Sequence, residues 1–159
     1  MLILLSTVLR LACRSNNPFP VDDEMKRSIA SSLHRGAYLV YRHGFLRKGL
    51  GLCHGVAGSV YALLAVADVS NEIKAMVGGE TTGQLDYLAA AIHLSALATR
   101  VDELVEQHEM RTPDRPWSLY EGRAGMCCAW MEVLYRMQIE SSGEVVSGMP
   151  GYSDIGINI

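Results

Sequence analysis

The sequence predicts an all-α fold, and three observations carry that prediction. Apolar residues recur at three- and four-residue spacing through five separate segments, the period of one helix face. The composition is rich in alanine, leucine and glycine, with 49% hydrophobic, 19% charged and only 7% aromatic residues, which suits helices packed at close range. Two of the five segments also open alike, as x-G-x-A-G: His54-Gly55-Val56-Ala57-Gly58 and Glu121-Gly122-Arg123-Ala124-Gly125, 67 positions apart. That recurrence reads as repeated helical hairpins whose slim N-termini meet around a common centre.

The first helix is predicted over Leu2 to Cys13 and stops at the breaker cluster Ser15-Asn16-Asn17-Pro18-Phe19-Pro20. The second starts at the cap candidates Asp22 and Asp23. It carries Met25, Ile29, Leu33, Ala37, Val40 and Tyr41 on one stripe and ends at Arg42-His43-Gly44. A glycine-bearing loop, Phe45 to Leu52, leads into a third helix from His54 to about Val69, with Val56, Val60, Leu63, Leu64 and Ala67 as its apolar face. Ser70 to Gly83 reads as loop with at most one helical turn. A fourth helix is expected over Gln84 to Glu106, with Leu94, Leu97, Val101, Leu104 and Val105 on one side. After a proline-stiffened loop, His108 to Leu119, the fifth helix runs from Tyr120 to Met137. Tyr120, Ala124, Cys127, Met131, Leu134 and Tyr135 form its apolar stripe. Residues 1–138 read as one domain and 139–159, rich in Ser and Gly, as a flexible tail.

Bulk properties narrow the function. A formal net charge of −3 gives no basic footprint, which argues against nucleic acid as a partner. The four cysteines, Cys13, Cys53, Cys127 and Cys128, are too few and too irregular for a secreted disulfide framework, so reduced thiols in a cytoplasmic protein are expected. Met1 to Leu11 imitates the apolar part of a signal peptide but lacks a basic leader and is interrupted by Arg10. It is also too short for an integral membrane segment.

The residues that carry chemistry lie in the loops. Cys53 and His54 stand side by side between glycines, and thiolate and imidazole are favoured zinc ligands. The plainer reading is a buried cysteine beside a helix-capping histidine. Lys48 is a solvated loop lysine or an anion contact. Arg111, Thr112, Pro113 and Asp114 make an exposed turn, or else a loop in which Arg111 grips a carboxylate bidentately. His34, His43, His93 and His108 have no ligand-like spacing, and Cys127 and Cys128 read as core thiols.

Taken together, these segments resemble a known family. Lys48-Gly49-Leu50-Gly51-Leu52-Cys53-His54-Gly55-Val56-Ala57-Gly58-Ser59-Val60-Tyr61-Ala62 is similar to the zinc-ligand segment of eukaryotic LanC-like proteins, relatives of the lantibiotic cyclases. Arg111-Thr112-Pro113-Asp114 and Pro116-Trp117-Ser118-Leu119-Tyr120-Glu121-Gly122 resemble that family's last conserved loop and helix start. The resemblance implies an (α/α) toroid of seven helical hairpins, of which this chain holds about the last two and a half. Leu2–Cys13, His54–Val69 and Tyr120–Met137 would be inner helices, and the segments 24–41 and 84–106 outer ones.

It also implies a zinc ion held by two cysteines and one histidine, with Cys53 and His54 as the second cysteine and the histidine. The first cysteine belongs to a Trp-Cys-His-Gly-type motif that opens the preceding inner helix. The resemblance places that motif before Met1, so the third ligand and a neighbouring proton-transfer histidine are expected to be missing, and no catalytic residue is assigned. Cys13 is a poor substitute: it lies about 12 residues along, roughly 18 Å down the helix. Complete relatives add a thiol, of glutathione or of a peptide cysteine, to dehydroamino acids in peptides and proteins. Lys48, Arg111, Thr112, Pro113 and Asp114 match glutathione-contacting positions. The expectation for this chain is therefore an incomplete zinc site, inactive alone, with a non-enzymatic glutathione-binding or protein-interaction module as the alternative.

Overall fold

The computed structural model describes residues 1–14, 21–78, 85–138 and 148–150. These residues form seven helices and no strand: α1 (Leu2–Ala12), α2 (Asp23–His43), α3 (Val56–Ala67), α4 (Ser70–Val77), α5 (Tyr87–Ala98), α6 (Val101–Glu106) and α7 (Arg123–Gln138). The predicted tail, 139–159, lies outside the described residues except for 148–150, where half-buried Met149 packs against the core.

α3 is the hub. It packs against α1, α2, α5 and α7, while α2 also covers α1 and α4. Val56, Ala57, Val60, Leu63, Leu64 and Val66 are wholly buried along it, and Ala30, Leu33 and Ala37 of α2 and Ala91, Leu94 and Ala98 of α5 close over it. Small residues at these contacts let the helix axes approach, as the alanine-rich composition requires. A polar tie joins α2 to α5: His34 Nδ1 and the Tyr87 hydroxyl are 2.8 Å apart. No single helix among the described residues is long and apolar enough to cross a membrane.

Helix starts follow local chemistry. The Asp22 carboxylate accepts from the Met25 N–H at 2.7 Å, and Asp86 accepts from Ala89 N–H at 3.0 Å, each supplying a bond the first turn cannot make for itself. α3 begins two residues later than its pattern suggests because Gly55 is its extended N-cap. Backbone carbonyls of the preceding loop take over capping: Val56 N–H donates to Gly49 O at 3.1 Å and Ala57 N–H to Leu50 O at 3.2 Å.

Three expectations need correction. Ser70–Val77 is a helix rather than a loop, because wholly buried Ile73 anchors it against α2. The expected fourth helix is two helices, α5 and α6. It breaks where the Thr99 hydroxyl donates to Ala96 O at 2.7 Å and the chain tightens through Thr99 N–H to Ala96 O and Arg100 N–H to Leu97 O. On α7 the apolar stripe faces outward: Cys127, Met131, Leu134 and Tyr135 are exposed, so Cys127 is no core thiol, and Cys128 is only half-buried. The buried face is instead Gly125, Met126, Ala129, Val133 and Arg136.

The last of these closes the base of the hub. Arg136, its side chain 6% exposed, donates to Asp68 at 2.6 and 3.2 Å and to Glu132 at 2.9 Å. Burial pushes the Asp68 carboxyl above the usual carboxylate range, against the pull of Arg136. Burial likewise opposes the Arg136 charge, but the hydrogen bonds and charges of Asp68 and Glu132 outweigh it and hold the guanidinium protonated.

Candidate functional site

The opposite end of the hub, where α3 and α7 begin, carries the chemistry-bearing loops. The 67-residue repeat is visible there in atoms. Arg123 N–H reaches Pro116 O at 2.8 Å, the counterpart of Val56 N–H on Gly49 O. A Cβ on Gly58 would lie 2.3 Å from Leu52 O, and one on Gly125 2.2 Å from Leu119 O, so both helices need a glycine at the same point of the same turn. The two loops then pair in register: Leu52 N–H donates to Leu119 O at 3.5 Å and Cys53 N–H to Tyr120 O at 2.9 Å.

A third tie fixes the Arg111 loop. The Arg47 guanidinium donates to Glu109 O at 2.9 Å and His108 O at 3.1 Å, and Arg111 N–H returns a bond to Arg47 O at 2.8 Å. Gly49 beside it has φ +129, a conformation closed to side chains, which lets the chain turn beneath Pro113. Backbone groups are thus consumed in building the site, and side chains are left free.

Those side chains converge. Lys48, His54, Arg111, Thr112, Pro113 and Asp114 line one open pocket of about 270 Å³, joined by Glu121. Cys53 is exposed beside His54, with its backbone held by Tyr120. The pocket therefore presents two basic side chains, Lys48 and Arg111, with two acidic ones, Asp114 and Glu121. Such a set complements a small zwitterion bearing carboxylates and an amine.

Two residues escaped the sequence reading. Glu121 occupies the repeat position of His54; the two x-G-x-A-G segments align on each other, but that alignment gave Glu121 no role at the site. Arg47 works through carbonyl contacts that no spacing reveals. A neighbouring pocket of about 210 Å³, lined by Val101, Val105, Met110 and Trp117 among others, shares Arg111, Thr112 and Pro113. There Arg123 lies 5.4 Å over the Trp117 ring and pairs with Asp102.

For zinc, Cys53 and His54 are donors of the right chemistry on adjacent, exposed positions. Among the described residues, however, no group of three or more His, Cys, Asp or Glu side chains comes close enough to hold a metal ion. The described residues do not by themselves make a zinc site, which takes three protein ligands even in its open form.

Comparison with known proteins gives a consistent answer. The family model described as lanthionine synthetase C-like protein matches residues 17–143. The glutathione S-transferase LANCL1 of Danio rerio is 34% identical over 89 residues, which are 55% of this chain and 18% of that protein. The matched stretch thus spans less than a fifth of that relative's length. No solved structure matches the chain.

Proposed function

Since the chain belongs to the lanthionine synthetase C-like family, we propose that its Lys48–Arg111 pocket binds glutathione or a closely similar carboxylated thiol. Lys48 and Arg111 hold the carboxylates, Asp114 meets the amine, and Thr112 and Pro113 shape the wall. The observation that carries this reading is the convergence on one pocket of residues from two loops more than 50 positions apart, with charges that mirror the ligand. In this reading α1, α3 and α7 are inner helices of an incomplete toroid, and Cys53 and His54 are two of three zinc ligands. Zinc, when bound in such a site, lowers the pKa of a coordinated thiol and supplies a thiolate at neutral pH. With two donors in the described residues, no step of thiol addition is assigned to this chain.

Calorimetric titration with glutathione tests the reading. Binding is expected in the unsubstituted chain, and Arg111→Ala is expected to weaken it by about tenfold or more, the loss of a charge-assisted pair. Equal affinity in the variant would sink the assignment. Turnover of a dehydrobutyrine peptide with glutathione and zinc by this chain would make it an enzyme of thiol addition; glutathione binding without turnover fits the binding-module alternative.

A further inference from the structure

Glutathione held by Lys48, Arg111 and Asp114 leaves the neighbouring pocket of about 210 Å³ unused. The walls of that pocket include Val101, Val105, Met110, Pro116 and Trp117, a mainly apolar set. Trp117 is 71% exposed, a large ring standing in water beside an apolar wall. Apolar walls with a few placed polar groups are the usual make-up of a ligand site.

Two arginines line this pocket, and they differ in how far their charge is answered. Arg123 pairs with Asp102 and lies 5.4 Å over the Trp117 ring. Arg111 makes no ion pair among the described residues. With Thr112 and Pro113 it lines both pockets, so the segment 111–113 is their shared wall. That wall is fixed from behind by Arg111 N–H on Arg47 O at 2.8 Å and by the Arg47 guanidinium on the carbonyls of His108 and Glu109. Small-molecule sites take about 300–1,000 Å³. At about 270 and 210 Å³ each pocket falls short alone, and the two together reach that size.

Both carboxylate-binding cations stand at this boundary: Arg111 lines the apolar pocket itself, and Lys48 precedes Gly49, which also lines it. Of the two carbons that carry carboxylates in glutathione, the γ-glutamyl one already bears an amine and its side chain. The glycine carbon bears nothing and is free to carry a further group. We propose, on the reading that the Lys48–Arg111 pocket holds a carboxylated thiol, that the apolar pocket is a specificity subsite for a large apolar side chain on the ligand's carboxyl-terminal residue. The preferred ligand is then a short cysteine peptide ending in an aromatic or aliphatic residue, and glutathione fills only half of the site. Arg111 and Lys48 hold the carboxylate at the shared wall, and the side chain crosses it to lie among Val105, Met110 and Trp117.

Calorimetric titration with two probes is the test: glutathione, and the same tripeptide with phenylalanine in place of its glycine. The phenylalanine peptide is expected to bind tighter by about tenfold or more, the gain of burying one aromatic side chain. Trp117→Ala should remove most of that gain and leave glutathione affinity unchanged, with helical circular dichroism intact because Trp117 is exposed. Val105→Asp, which puts a charge in the apolar wall, should do the same and checks the result independently of Arg123. S-benzylglutathione carries the ring at sulfur instead and should show no gain that depends on Trp117. If the phenylalanine peptide binds no tighter than glutathione, the subsite is overturned and the glutathione reading stands. A gain that survives both substitutions also overturns it, as does a Trp117-dependent gain for S-benzylglutathione alone. Binding of the phenylalanine peptide with none of glutathione supports the subsite and overturns the glutathione reading. Binding of neither overturns both.

Discussion

The two ends of the helix hub are built by opposite means. At the base, where α3 and α7 finish, side chains do the binding: Arg136 is buried between Asp68 and Glu132 and touches the Leu64 carbonyl. At the mouth, main-chain groups do most of it, with the Arg47 guanidinium donating to two of them. The paired loops are joined by Leu52 and Cys53 N–H groups and by the carbonyls of residues 108, 109, 119 and 120, while Lys48, Cys53, His54, Arg111 and Asp114 stay exposed. A site whose frame is main chain can change its side chains without losing its shape. A base held by side chains cannot.

The largest expected effect breaks the base. Arg136→Ala leaves two carboxylates, Asp68 and Glu132, partly buried without their cation, and should cost about 3–5 kcal/mol in urea unfolding. A loss under about 1 kcal/mol would mean that water reaches the pair and that the two ends differ less than their burial suggests. The next effect concerns the frame of the mouth. Gly58→Ala and Gly125→Ala each push a methyl into a backbone carbonyl and should each cost about 1–3 kcal/mol. Similar losses are expected because the two positions are repeat-related. A large loss at one and none at the other would show that the repeat is one of sequence alone.

How far the sequence discloses this structure depends on whether a feature is local. α2 is legible from Asp22 to Gly44 because its cap and its terminator act within one turn. α4 is not, since its polar sequence becomes helical by docking Ile73 against α2, a contact with another element. On α7 periodicity finds the apolar stripe but not which side of the helix the hub occupies. The hub takes the side with Gly125, Ala129 and Arg136, whose small and charged residues look unlike a core. At the site, the family resemblance named Lys48, His54 and residues 111–114, and these do share one pocket. It did not show that Arg47 and two carbonyls bring the second loop to the first. That coupling joins an arginine side chain to backbone carbonyls, which every residue possesses and no motif records.

The smallest expected effect sharpens the comparison most. Cys53 is one of the residues on which the proposed chemistry depends, yet its contribution to the fold passes through its N–H, which donates to Tyr120 O at 2.9 Å whatever the side chain. Cys53→Ser keeps that N–H and exchanges one exposed, small side chain for another, so the unfolding free energy should move by less than about 0.5 kcal/mol. The same substitution removes a thiolate from whatever zinc affinity the mouth possesses, since serine is a poor zinc ligand. Stability unchanged with metal affinity lowered is the signature of a side chain kept for chemistry on a frame held by main chain. A loss above about 1 kcal/mol would instead make Cys53 a packing residue, and the mouth would then be built on the same principle as the base.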